Sequence, residues 1–549
     1  MAGGLAGARP YALLSALCLL LYLPGLATIP PLDRDEARFA QASRQMLQTG
    51  DFIRIRFQDE ARDRKPAGIY WLQAAAVAVL STAESTAIWP YRLPSVAGAG
   101  AAVLMVFAFA TALFRADPAI AEPRRAAFAA ALLLAASLGL VAEAHIAKTD
   151  AVLLATIVAG QAMLGLAYLR ARRGAPVPLA IAAGFWVAEA AAILIKGPVG
   201  PGVALLTAAA LSIADREARW LGGLRPVRGV ILVAVLLAPW LIAIERATAG
   251  QFLAHSLGRD FLAKLIGAQE SHGAPPLTYL LLALVTFWPG SLWLARAAIG
   301  GWRRRETAAR RFLLAWLVPY WLVIELVPTK LPNYALPVYP ALALLAAAAI
   351  ADGAAFVGSG WARWVDCAVR GLWALVTLAL AAALVALPLW FAPHFSALGI
   401  AGAVLIIAGA AALWRRPNPA GAAALAAVFA LALGIGVAPG LDRLWLSRSA
   451  ATLVALHPPR AGAPLVAVGY DEPSLVFLLG TGLHLGNAAG AAVLLARGGE
   501  VLVSDREQAE LRRALTARGL AARALGSVSG TDYSNGRHMV ITLYDVEPG

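Results

Sequence analysis

After Pro30-Pro31 the chain reads Leu32-Asp33-Arg34-Asp35-Glu36-Ala37-Arg38-Phe39 and runs on through Met46 and Leu47 to Thr49-Gly50. Acids at the start, an apolar side and a terminating glycine are the punctuation of a helix. Asp35 or Glu36 at such a helix start can serve as a base toward an attacking oxygen, and Arg38, three residues on from Asp35 and on the same face, can balance that charge and hold an anion. Acids in a first helical turn also satisfy free N–H groups and the helix dipole, so capping stands beside catalysis as a reading of both. A second group is Asp59-Glu60-Ala61-Arg62-Asp63-Arg64-Lys65-Pro66. By pattern alone it is a solvated face. It runs directly into an apolar stretch, however, which makes Lys65 and the neighbouring Arg64 candidates for holding a phosphate. Asp150, two residues after Lys148, opens a long apolar run, where a carboxylate is either an N-cap or a costly group kept for function. His272 has Glu270 close by but too few neighbouring ligands for a closed metal site. Lys196 and Lys330 lie at the ends of apolar runs, where lysines often snorkel, and Tyr334 and Tyr339 have the placing of interfacial aromatics.

The elements that must position these groups are membrane helices. Of 549 residues, 60% are hydrophobic and 14% charged, against roughly 45–50% and about 25% in soluble domains; the mean hydropathy is +0.70. The apolar residues come in runs long enough to cross a bilayer. That excludes a soluble enzyme, a pure DNA-binder and a disordered tail. The net charge of +14 invites nucleic acid as a partner, but its placement answers to topology instead. Cys18 and Cys367 both sit in apolar runs, so no disulfide framework is implied.

Apolar runs place about thirteen spans, near 11–27, 93–114, 126–142, 151–169, 177–195, 198–214, 229–245, 276–295, 312–327, 334–352, 367–391, 397–414 and 419–438. The first lacks a convincing cleavage site and reads as an uncleaved anchor. With the N-terminus cytoplasmic, about twenty arginines fall in inside loops, while the short outside loops carry only Lys148, Lys196 and Lys330. The bias also keeps residues 67–84 from crossing, since a crossing would turn every later arginine cluster outward; they are expected to lie in the interface, with Tyr70 and Trp71 at headgroup level. The organisation that follows is a transmembrane domain over 1–440, with outside loops at 28–92 and 246–275, and a small outside α/β domain over 460–549. In the latter, Leu465–Val468, Val501–Ser504 and Met539–Tyr544 read as strands and 505–518 as an amphipathic helix. All the concentrated polar chemistry then sits on one side of the membrane.

In order along the chain, Asp35-Glu36-Ala37-Arg38-Phe39 with Met46 and Gly50-Asp51, Lys65-Pro66 with Tyr70-Trp71, Lys148-Thr149-Asp150, Lys196-Gly197-Pro198, His272 with Pro275, and Lys330-Leu331-Pro332-Asn333-Tyr334 with Pro337 and Pro340 resemble the polyprenyl-phosphate-sugar-dependent glycosyltransferases of GT-C fold. The resemblance is to the bacterial relatives of protein O-mannosyltransferases and to the lipid A aminoarabinose transferases. It implies an α-helical multi-span enzyme of the bacterial inner membrane. Such an enzyme moves a sugar from a polyprenyl-phosphate carrier to a periplasmic lipid, glycan or protein acceptor, uses no nucleotide sugar and has no nucleic-acid partner. It further implies Asp35 as base and Asp150 as second carboxylate, with Glu36, Arg38, Lys65, Arg64, Lys148, Lys330 and Tyr334 around the substrate and its lipid phosphate. The sequence departs from the aminoarabinose branch at two places. Arg64 stands where that branch has a metal-contacting acid, which leaves Asp63 and His272 as candidate ligands for a divalent metal ion. Phe39 stands where it has a tyrosine. These departures leave the sugar and the acceptor open.

Two other classes fit a multi-span chain. A transporter or lipid flippase predicts ionisable groups in mid-span, and Glu189 and Glu325 are such groups; a non-catalytic protein that only binds carrier lipid predicts the same spans with no transfer.

Overall fold

The computed structural model describes residues 7–32, 34–62, 65–253, 274–353 and 360–548. In the first half of the chain the helices are α1 (Arg9–Tyr22), α2 (Arg34–Thr49), α3 (Gly68–Leu80), α4 (Trp89–Phe114), α5 (Pro123–Ala136), α6 (Leu138–Ala144), α7 (Asp150–Arg172), α8 (Leu179–Lys196), α9 (Val199–Asp215) and α10 (Pro226–Ala247). Among the described residues, eight helices are long and apolar enough to cross a membrane: α4, α7, α8, α10, Pro332–Ala351, Trp361–Phe391, Ala397–Arg415 and Pro419–Gly440. The bent pair α5 and α6, kinked by 59°, makes a ninth.

The other expected spans differ for identifiable reasons. α1 has 14 residues and α9 has 17. The run at 276–295 breaks after Thr286 into a single 3₁₀ turn at Gly290–Trp293, and Ala308–Leu326 carries Arg310, Arg311 and Glu325. α3, with 13 residues, is about 20 Å long, short of the roughly 30 Å of a bilayer core.

Two close approaches set the site-bearing ends of these helices. A Cβ on Gly98 of α4 would come within 2.8 Å of the Val152 backbone, and one on Gly68 within 2.6 Å of the Leu194 carbonyl. The bare glycines let α4 lie against the start of α7 and α3 against the end of α8, as small residues do between membrane helices. Of the two mid-span acids, Glu325 Oε1 accepts a hydrogen bond from the Leu280 N–H at 3.2 Å, and Glu189 is buried against Gly160 and Gly200.

The opposite end of α4 is closed by charge. Arg310 is fully buried and reaches Asp117 at 2.7 Å and Asp352 at 3.1 Å. This arginine, which the loop count treats only as an orientation signal, bridges the ends of three helices.

The chain ends in a five-stranded sheet of order β4-β3-β5-β7-β6, built from β3 (Leu465–Val468), β4 (His484–Gly486), β5 (Gly499–Ser504), β6 (Leu520–Asp532) and β7 (Arg537–Pro548). β3 pairs in parallel with β4 and β5, whereas β7 pairs antiparallel with β5 and β6. One face packs on a core that takes in Leu446, Ala450, Leu453 and Val454, so the apolar core of this unit reaches back before residue 460. The helix expected at 505–518 spans Gln508–Thr516. Two strands, β4 and β6, escape the sequence reading, because His484–Gly486 is too short for a pattern and Leu520–Asp532 is mostly exposed.

The sheet unit is fastened to α2. Arg44, 2% exposed, donates to the carbonyl oxygens of Phe477 (2.7 Å), Ala83 (2.7 Å), Glu84 (2.8 Å) and Ser85 (3.0 Å). Gln41 Nε2 donates to Thr481 Oγ1 at 2.8 Å, and Gln58, between the short antiparallel strands β1 (Arg56–Phe57) and β2 (Glu60–Ala61), donates to the carbonyls of Thr481 and Leu483.

Candidate active site

Glu36 and Arg92 are both wholly buried and form a two-pronged pair, with Arg92 Nε 2.7 Å from Oε1 and Nη2 2.9 Å from Oε2. The same guanidinium donates to the carbonyls of Leu26, Ile29 and Pro30, each at 2.8 Å. The Glu36 carboxylate also accepts from the Leu32 N–H and, at 2.8 Å, from the Ala147 N–H. A carboxylate so surrounded has no capacity left for a ligand. The expected substrate-binding role for Glu36 is therefore corrected: it anchors the start of α2 to the segment that leads into Asp150.

Asp35, one residue earlier on the helix, faces outward. Its side chain is 51% exposed and lies 3.8 Å from Arg38 Nη1. Across from this pair the Arg62 guanidinium lies over the Phe39 ring at 5.5 Å, and Tyr70 stacks on Phe39 at 5.1 Å. Burial pushes the Tyr70 phenol up to about 12, the Arg62 charge opposing and the Asp35 charge reinforcing the shift. Arg62 Nη1 is buried with no hydrogen-bond partner among the described residues, a donor suited to an incoming anion. Sequence reasoning missed Arg62, because a run of mixed charges does not say which cation turns inward. Lys65 follows, half-buried, just ahead of α3.

The third group collects at the start of α7. Asp150 is 5% exposed; its Oδ1 accepts from Lys196 Nζ at 2.5 Å and from Asn333 Nδ2 at 2.9 Å. Lys196 Nζ also stands 5.8 Å from the centre of the Tyr334 ring. Three motifs, 148–150, 196–198 and 330–334, thus close on one carboxylate, with Lys148 half-buried beside it. Lys196 and Asn333 were visible as parts of motifs, but nothing in their spacing assigned them to Asp150. Lys330 has a different task from the one expected. Its ammonium donates to the carbonyls of Ile324 (2.7 Å), Glu325 (2.6 Å) and Val327 (2.7 Å), which uses all three protons to cap the helix Ala308–Leu326.

The Asp35 and Asp150 groups share a frame. Ala147 gives its N–H to Glu36 and its carbonyl to Gln73 Nε2 at 3.0 Å, and Gln73 Oε1 accepts from Ser43 of α2 at 2.7 Å. Asp63, Arg64 and His272 lie outside the described residues. Among the described residues no three His, Cys, Asp or Glu side chains gather as metal ligands.

No protein-family model matches the sequence. Individual relatives do. An undecaprenyl phosphate-alpha-4-amino-4-deoxy-L-arabinose arabinosyl transferase of Pseudomonas paraeruginosa (strain DSM 24068 / PA7) is 30% identical over 438 residues, covering 75% of this chain and 74% of the relative. The chain belongs to this transferase family. Its departures at Arg64 and Phe39 do not remove it from the arabinosyl transferases. Enzymes of the same name from Aeromonas salmonicida (strain A449) and Pectobacterium carotovorum subsp. carotovorum (strain PC1) are 27% and 29% identical, and the chain spans 65% and 64% of their lengths. The fold is that of ArnT from Cupriavidus metallidurans, whose crystal structure bound to undecaprenyl phosphate matches over 98% of both chains with a TM-score of 0.73 at 20% identity. Like other members of the arabinosyl transferase family, it is a multi-pass membrane protein.

Proposed function

We propose that the protein transfers 4-amino-4-deoxy-arabinose from undecaprenyl phosphate to a glycolipid acceptor of the lipid A kind. In this reading transfer takes place on the periplasmic face of the bacterial inner membrane, with the N-terminus cytoplasmic and the C-terminal sheet unit periplasmic. The observation that carries it is the convergence of Asp150, Lys196, Asn333 and Tyr334 on the side where Glu36 ties down the Asp35 helix through Ala147. Family membership supplies the chemistry for that geometry.

An acceptor oxygen attacks the anomeric carbon and its proton passes to Asp35. The bond from that carbon to the carrier phosphate breaks, and undecaprenyl phosphate leaves with the electron pair. Positive charge builds at the anomeric carbon as negative charge builds on the phosphate, so fixed charges of both signs stabilise the transition state more than the ground state. Arg38 and Lys65, with Arg62 added to the expected set and Arg64 next to them in the chain, support the phosphate; Arg suits a fork-like contact and Lys a point charge. Asp150, held by Lys196 and Asn333, faces the anomeric side, with Lys148 and Tyr334 at its border.

The test is transfer by purified full-length protein from undecaprenyl phosphate-aminoarabinose to a lipid A acceptor, comparing wild type with Asp35→Asn. Carrier-dependent transfer that collapses in the variant, while undecaprenyl phosphate binding persists, supports the reading. Full transfer by Asp35→Asn removes the base, and transfer from a nucleotide sugar overturns the reaction class. Chelation followed by restored divalent ions reports separately on any metal at Asp63 and His272.

A further inference from the structure

A cleft of about 400 Å³ opens beside the Asp35–Arg38 pair and has walls from three parts of the chain: α2, the β1–β2 hairpin and the C-terminal sheet unit. Arg34 and Arg38 stand on one side, Asp59 and Glu60 on the second, Asp471 and His484 on the third. The walls are tied together by the Gln58 bonds to the carbonyls of Thr481 and Leu483 and by the Gln41–Thr481 bond, so the cavity is part of the fold and not a gap between loops. Its size is within the range of small-ligand sites. Its lining is polar and carries both signs of charge, which suits a hydrated, hydroxyl-rich ligand better than a lipid chain. Arg34, its side chain 42% exposed, lines the cleft, and its Nε lies 3.4 Å from Glu472 Oε1 as an ion pair without hydrogen-bond geometry. A part-exposed guanidinium next to a second arginine is a place for a phosphate. The carboxylates and His484 opposite can accept from sugar hydroxyls.

We propose that this cleft receives the phosphorylated sugar headgroup of the acceptor, with Arg34 on its phosphate and Asp59, Glu60, Asp471 and His484 on its hydroxyls. The C-terminal unit thereby takes part in choosing the acceptor, while the donor phosphate is held at the cleft's edge by Arg38 and the cations beyond it. The proposal rests on the reading that Asp35 is the transfer centre, since Arg38 joins the cleft to it.

Steady-state transfer by full-length protein in nanodiscs, at saturating undecaprenyl phosphate-aminoarabinose, tests it with two acceptors: a bis-phosphorylated glucosamine-disaccharide glycolipid and its dephosphorylated counterpart. In Arg34→Gln and in the double variant Asp471→Asn/His484→Ala the KM for the phosphorylated acceptor should rise about tenfold or more, the loss expected for hydrogen bonds to charged groups. The KM for donor should stay within about twofold, and Arg34→Gln should lose the preference for the phosphorylated acceptor. An unchanged acceptor KM, or a donor KM that rises in parallel, overturns the proposal. A probe that needs no variant is the free bis-phosphorylated disaccharide headgroup added to wild type. Inhibition competitive with acceptor and not with donor is expected; no inhibition, or competition with donor, refutes the cleft even if the variants fail to fold. Asp35→Asn separates the two readings: a lost kcat with acceptor KM intact supports both, whereas a full kcat sinks the transfer centre and leaves the acceptor KM of the cleft variants to decide the cleft on its own.

Discussion

The two ends of α4 hold their charges in opposite ways. At its C-terminal end Arg310 is sealed between Asp117 and Asp352, all three side chains inaccessible to water. At its N-terminal end the buried pair Arg92–Glu36 is sealed in the same manner, but directly beside it Asp35 and Arg38 remain open, 51% and 36% exposed and 3.8 Å apart. Sealed charges hold helices together because removing one partner strands the other away from water. Open charges hold little by themselves, yet they are available to a substrate. The lesson is that burial sorts ionisable residues into frame and site more sharply than residue type does, as adjacent Glu36 and Asp35 demonstrate.

The sharpest way to break this comparison is to neutralise one member of each class. Asp35→Asn should cost transfer about 10²–10⁴-fold, the usual worth of a positioned base, with the melting temperature unchanged; a destabilised protein would move Asp35 into the frame. Arg310→Met should do the converse. Stranding Asp117, while Asp352 keeps Arg304 at 3.5 Å, is expected to cost about 3–5 kcal/mol in unfolding, read by thermal or denaturant melts in detergent, with transfer per folded molecule preserved.

Lys196 and Asn333 are an intermediate case, since they are partly buried yet reach the Asp150 carboxylate of the proposed site. Lys196→Ala or Asn333→Ala removes a hydrogen bond to the Asp150 carboxylate, and about a 10–100-fold loss of kcat is expected from each; an effect on stability alone would make Asp150 another sealed charge. The smallest effect concerns Glu472 in the sheet unit. Burial raises its carboxyl above the ordinary 4.5, Arg34 opposing and Asp532 and Asp471 reinforcing. The folded state thus keeps that proton to higher pH than the unfolded chain does. The associated stability is fully present below 4.5 and is lost as pH rises through the raised value. Hydrogen exchange of β3 and β5 as a function of pH should show this slope in wild type and a flatter one in Glu472→Gln.

Much of this was legible in the chain. Bilayer-length apolar runs, the ordered motifs from Asp35 to Pro340 and the short strands Leu465–Val468 and Gly499–Ser504 each leave a local pattern. The number of long spans was less legible, because hydropathy alone does not reveal where a run breaks, as it does after Thr286, or where it carries buried ion pairs, as at Arg310. Within the site, residue type pointed to Lys330 as readily as to Lys196. One spends its protons on helix carbonyls and the other reaches Asp150.

The sequence by itself determined that this is a membrane protein, which family its motifs resemble and which charged residues lie in those motifs. Only the tertiary structure decided that Glu36 and Lys330 are held in the frame, that Lys196 and Asn333 meet Asp150 and Arg62 turns in over Phe39, and that the sheet unit completes a cleft beside Asp35. The physical reason is that composition and periodicity are local properties. Whether a charge is sealed or open depends on what other segments bring against it: Arg92 against Glu36 across 56 residues, Asn333 against Asp150 across 183.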